Sequence, residues 1–163
     1  MKKKILALLV LVCTVVLGSC SREINVEHCE MGIVLPSEFK EYNADGAFDI
    51  AYACDTVIVG ISRISYEAAI ADGISATLTA KQFANLYKTA NLHDGRVRDF
   101  GDVPYYSYKI TTDTASLSYY QTFYKTPYAY FVITFITPSV GGVSSNDILN
   151  LTNNVYLILD EEA

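Results

Sequence analysis

From Tyr105 to Ile136 the chain runs as three long stretches of strand-forming residues joined by short turns, and few folds accommodate that pattern. Tyr105–Thr112 places Tyr106, Tyr108 and Ile110 on one face. Asp113-Thr114 turns the chain into Ala115–Tyr124, and Lys125-Thr126-Pro127 turns it again into Tyr128–Ile136. Aromatic and β-branched residues suit a pleated, half-buried surface. The chain has thirteen tyrosines and no tryptophan, and eight of those tyrosines fall on these stretches. The segment predicts a strand meander.

The flanking segments say what covers that sheet. Met31–Leu35 reads as a strand stopped by Pro36. Ala47–Cys54 alternates, with Phe48, Ile50, Tyr52 and Cys54 on one face. Asp55-Thr56 is a tight turn into Val57–Ile64, where Gly60 marks a bulge or a close approach. Ser65–Asp72 fits one or two helical turns ended by Gly73. Thr79 and Gln82 form a capping box for a helix whose apolar stripe is Phe83, Leu86, Tyr87 and Ala90. Asn91–Gly95 ends that helix and leaves His93 in an exposed turn, and Arg96–Phe100 is a short strand. After Pro138 and Gly141-Gly142, Ser144 or Ser145 caps a last helix, with Ile148, Leu149 and Leu151 facing inward. Val155–Leu159 closes the domain as a strand, before a solvated acidic tail at 160–163. These elements predict one α+β domain over residues 31–159, an antiparallel β-sheet flanked by helices.

The order of elements resembles the PsbP-like fold that is shared with the DcrB family of bacterial lipoproteins. The resemblance is carried by MGIVLPSEFKEY, FDIAYACDTVIVGISRIS, LTAKQFANLYKTAN, YYSYKI and SYYQTFYKTPYAYFVITF. It implies a three-layer α/β/α sandwich, with helices on both faces of the sheet, and members that are mostly non-enzymatic adaptors, assembly factors or envelope proteins of unknown role. It brings no catalytic motif, and fold analogy alone is a weak warrant for function.

The N-terminus carries a different message. Lys2, Lys3 and Lys4 precede an apolar run from Ile5 to Leu17, which ends in Leu17-Gly18-Ser19-Cys20. The run has the length and order of a secretory signal and is short for a bilayer span. Its ending resembles the bacterial lipobox. That resemblance implies removal of residues 1–19, acylation of Cys20 and anchoring to a cell membrane or, since Ser21 is not Asp, an outer membrane. Each buried methylene contributes about 0.8 kcal/mol, so two or more chains hold firmly. Residues 20–30 read as a lipidated tether of about 30 Å reach when extended.

Loss of the three lysines takes the formal charge from −6 to −9. An acidic domain without a basic cluster is repelled by phosphates, which argues against nucleic acid as a partner. Cys29 and Cys54 remain on the exported side as a candidate disulfide, or as two small buried thiols. His28, Cys29, Glu27 and Glu30 are adjacent in one segment and cannot all face one ion, so no metal or other cofactor is expected. Acid–base chemistry needs paired carboxylates or a His beside a nucleophile. His28 and His93 have no such setting in the sequence, and no nucleophile-elbow or HExxH motif occurs. The expectation is a non-enzymatic binding or assembly module of the cell envelope, held to the membrane and contacting another envelope protein. Tyr106, Tyr108, Tyr120 and Tyr124 are the candidate surface, against the alternative that they pack under helices. A small-ligand-binding lipoprotein and, further off, a hydrolase are the other readings.

Overall fold

The structure, a computed structural model, describes residues 22–158. Among them are ten strands in two antiparallel sheets. The strands are β1 Glu23–His28, β2 Met31–Pro36, β3 Lys40–Glu41, β4 Ile50–Ala53, β5 Ile58–Ser65, β6 Arg98–Phe100, β7 Val103–Thr111, β8 Ser116–Lys125, β9 Ala129–Pro138 and β10 Val155–Leu157. The helices are α1 Tyr66–Ala71, α2 Ala80–Ala90 and α3 Ser145–Asn150, the last running into a 3-10 turn at Leu151–Asn154. The larger sheet has the order β3-β4-β5-β9-β8-β7-β6, and the smaller has β1-β2-β10. The expected meander is β7-β8-β9, with Tyr106 opposite Gln121 and Gln121 opposite Thr134.

The three-layer α/β/α sandwich is not what the chain forms. Helices α1 and α2 cover one face of the large sheet, where Ala69, Phe83 and Ala84 pack on Tyr106, Phe123, Tyr130 and Val132. The other face is covered mainly by the small sheet. Val26, Met31, Ile33 and Leu35 pack there on Ile61, Phe131, Ile133 and Phe135, with Ile148 of the short α3 alongside. The reason lies in residues 20–30, which read as tether. Glu23–His28 alternates, and its inward Ile24 and Val26 pair across from Leu35 and Ile33. That pairing, with β10 on the other side, takes β2 into a sheet of its own. Glu23 therefore begins the fold rather than Met31, and the Arg22 carbonyl already accepts a bond from the Ser37 amide at 2.8 Å.

Local signals otherwise act as their chemistry dictates. The Thr79 hydroxyl accepts from the Gln82 amide at 3.2 Å and the Gln82 side chain accepts from the Thr79 amide at 2.9 Å, closing the capping box. Ser65 caps α1 and Ser144 caps α3 in the same manner. The stripe of α2 is rotated from the expected one. Phe83 and Ala84 are buried and Tyr87 is packed beside them, whereas Leu86 is 48% exposed. Gly60 marks a close approach rather than a bulge, since a Cβ there would meet the Phe48 ring at 2.3 Å. Gly60 pairs with Ala51, so Phe48 lies on the Ala51 side of the sheet and not with Ile50 as alternation suggested.

Candidate functional site

The large sheet ends on a half-covered edge. β6 pairs only with Val103–Tyr105 of β7, so Tyr106–Thr111 has a partner on one side alone. The direction of its backbone groups follows from antiparallel alternation. The Thr112 amide donates to the Ala115 carbonyl at 2.8 Å across the turn into β8. Positions 110, 108 and 106 therefore bond to β8. Ser107, Lys109 and Thr111 turn their N–H and C=O groups outward, and all three are exposed. Among the described residues no backbone bond outside the β7–β8 pairing reaches them.

The chain leaving α2 builds the opposite wall. Leu92 takes a left-handed φ of 55° and Gly95 a φ of 100°, which fold the turn back over the sheet. The result is an open groove lined by Leu92, His93, Asp94 and Gly95 on one side and Ser107–Ile110 on the other. Leu92 is 90% exposed and Ile110 43%. Between them lies a shelf of rings. His93 stacks on Tyr108 at 3.7 Å between centroids, and Tyr108 stacks on Tyr119 at 4.9 Å. Behind the shelf, Tyr106 stacks on Phe123, which meets Phe83 edge-on. Burial lowers the pKa of His93, and burial followed by the neighbouring Tyr119 pushes Tyr108 up to about 12. Both side chains stay uncharged at neutral pH. The groove offers main-chain hydrogen bonds and ring contact.

A second polar cluster sits where the β1–β2 turn meets β5. Arg63 donates to both oxygens of Glu30 at 2.8 and 2.6 Å, and its own amide donates to Asp49 Oδ2 at 2.6 Å. His28 Nε2 lies 3.2 Å from the same Asp49 oxygen. The Arg63 guanidinium holds Glu30 below its ordinary pKa. Glu27 instead accepts from the Tyr156 hydroxyl at 2.9 Å. This cluster fastens the small sheet to the large one, and it sends Glu27 and Glu30 to different partners.

The four tyrosines of the expected surface do not share a face. Tyr106 is 1% exposed and Tyr108 lines the groove, both on the helix side. Tyr120 and Tyr124 pack against the opposite core, under the small sheet. The Tyr106 and Tyr124 hydroxyls are buried without a protein partner. Cys29 and Cys54 are free thiols, and the fold keeps them apart. Cys29 adjoins Glu30, which grips Arg63, whereas Cys54 bonds to Val57. About six residues of strand, roughly 20 Å, separate those points, and a disulfide needs Cα atoms within about 7 Å. Cys20 lies outside the described residues. The sequence places His93 in a turn and offers it only for acid–base chemistry, and it gives no signal for Leu92 or the backbone edge. The Asn91–Gly95 turn signal was visible, but the ring of His93 finds Tyr108 only once α2 is docked.

The fold defined here is a helix layer, a seven-stranded antiparallel sheet and a three-stranded sheet. It is shared with a crystal structure from Bacteroides thetaiotaomicron, with a TM-score of 0.60 at 14% sequence identity over 87% of this chain. The match covers 50% of that protein's chain, so this protein spans about half its length. The chain matches no known family profile and no curated protein.

Proposed function

We propose that this protein is an exported lipoprotein, held at a membrane by acyl groups on Cys20, whose domain is a non-catalytic binding or assembly module. The observation that carries the binding role is the free stretch of β7 beside exposed Leu92 and Ile110. Exposed strand edges pair readily with other chains unless they are covered or blocked. A small ring-stacking ligand is less favoured, because His93, Tyr108 and Tyr119 already spend ring faces on one another. The anchor reading rests on Leu17-Gly18-Ser19-Cys20. With Arg22 already bonded to Ser37 just ahead of β1, the lipid attaches within about 7 Å of the domain, much closer than a tether through residue 30 would allow.

A photo-crosslinking amino acid at Lys109, with the same group at Tyr42 on the opposite edge of the sheet as control, tests both parts in cells. The expected result is a membrane-associated protein with a discrete adduct from position 109 and none from 42. Cys20→Ala should release the protein from the membrane and remove the adduct. A wild-type protein that fractionates as soluble, or adducts equal at both positions, would overturn the reading.

A further inference from the structure

We propose that the occupant of the groove is an extended acidic segment of another protein, which adds to β7 as a strand with an acidic residue opposite Lys109. The proposal rests on the binding-module reading and names the partner's chemistry. Ser107, Lys109 and Thr111 turn backbone donors and acceptors outward at every second residue. That is the pattern an extended backbone satisfies and a helix does not. The free stretch is about 17 Å long, room for one short strand in line with β6.

Charge selects among strands. Residues 80–111 carry Lys81, Lys88, Arg96, Arg98 and Lys109 against Asp94, Asp99 and Asp102. Asp99 is already paired with Lys81. Residues 80–111 sum to +2, against −6 for the whole chain, although Asp94 lines the groove and Asp113 follows in the turn into β8, so the pull on an acidic strand comes from Lys109 and Arg98 themselves. Lys109 is exposed and has no ion pair among the described residues. Arg98 pairs with Tyr105, whose side chain shares a face with that of Lys109 two pleats further on, about 13 Å away. A strand added here meets both cations on one face.

The same lysine disfavours a second copy of this chain. Two β7 edges paired antiparallel about the centre of 107–111 would set Lys109 against Lys109, and like charges directly opposite are destabilising. The lysine thus repels self-pairing and basic strands while it attracts an acidic one. On the helix side of the sheet the added strand would rest its alternate side chains against Leu92, Ile110 and the His93–Tyr108 rings.

The test uses the full chain in detergent and a displayed library of random short peptides. Selected peptides should be acidic, free of proline at alternate positions, and should protect the amides of Ser107, Lys109 and Thr111 from hydrogen exchange. Lys109→Glu should weaken them about tenfold or more, by the measure of one lost opposite-charge pair replaced with a like-charge one. Lys109→Pro should abolish binding by deleting an outward N–H, and an outward position on an edge strand tolerates proline. Ser107→Pro repeats that test one pair along, with circular dichroism to show that each variant is folded. Selection of basic or neutral peptides, or equal binding to Lys109→Glu and both proline variants, would overturn the proposal. Failure here beside a successful crosslink at position 109 would leave the binding module standing and remove only the acidic strand.

Discussion

The two faces of the large sheet are built from the same strands and end differently. On the face under β1-β2-β10, Phe131, Ile133 and Phe135 meet Ile33, Leu35 and Val26, and every one of these side chains is at most 2% exposed. On the helix face the core is a run of rings, Phe83, Phe123, Tyr130 and Tyr106, which continues outward to Tyr108 and His93. Aliphatic packing against a second sheet closes a face. Rings with polar tips under two short helices leave an end where contact surface reaches solvent. The candidate site lies at that end because α1 and α2 run out before the sheet does.

Truncation should separate the faces most strongly. Phe131→Ala removes a fully buried ring and should cost about 3–5 kcal/mol, whereas Tyr108→Ala at the open end should cost markedly less. Urea unfolding at unchanged slope measures both, and equal losses would break the comparison.

Hydroxyl deletions should divide the ring face itself. The Tyr130 hydroxyl shares its one proton between the Ser75 and Leu78 carbonyls at 2.8 and 3.1 Å, and Leu78 also accepts from Lys125 Nζ at 2.9 Å, so Tyr130→Phe should cost about 1 kcal/mol, mainly through the Ser75 carbonyl. Tyr106 has no protein partner, so Tyr106→Phe should be neutral or slightly stabilising in the same assay. A loss at Tyr106 matching that at Tyr130 would show that its hydroxyl is bonded after all.

The last effect is alkaline. Burial pushes Tyr108 on the open face and Tyr124 on the closed face each up to about 12, from an ordinary 10.0. A raised folded pKa means that the unfolded chain loses its proton first. Stability should therefore hold below pH 10 and fall as pH rises from there towards 12. Tyr108→Phe and Tyr124→Phe should each flatten that limb of a stability–pH curve. A change from only one of them would show that the two faces bury tyrosine unequally.

Legibility followed the range of the forces involved. The meander, the hairpin β4-β5 and the Thr79-Gln82 box are set by neighbours within a few residues, and each lies close to where its pattern put it. Glu23, Asn25 and Glu27 make β1 look solvated, and only pairing with β2 reveals the buried side of Ile24 and Val26. Periodicity points Leu86 inward, yet the arc that docks is Phe83, Ala84 and Tyr87. Tyr106 and Tyr120 share neighbouring strands, but alternation and register across β7 and β8 send them to opposite faces.

By itself, the sequence of this protein determined the apolar run before Leu17-Gly18-Ser19-Cys20, the order of most strands and helices, and the caps and turns between them. These are local, written in side-chain period, hydroxyl caps and glycine. Only the tertiary structure decided that a second sheet, not helices, closes one face, that Cys29 and Cys54 stand at opposite ends of β5, and that Ser107, Lys109 and Thr111 face outward with His93 beside them. Those outcomes depend on which strand pairs with which and where the pairing stops, and backbone hydrogen bonding between distant segments leaves little mark on the residues that make it.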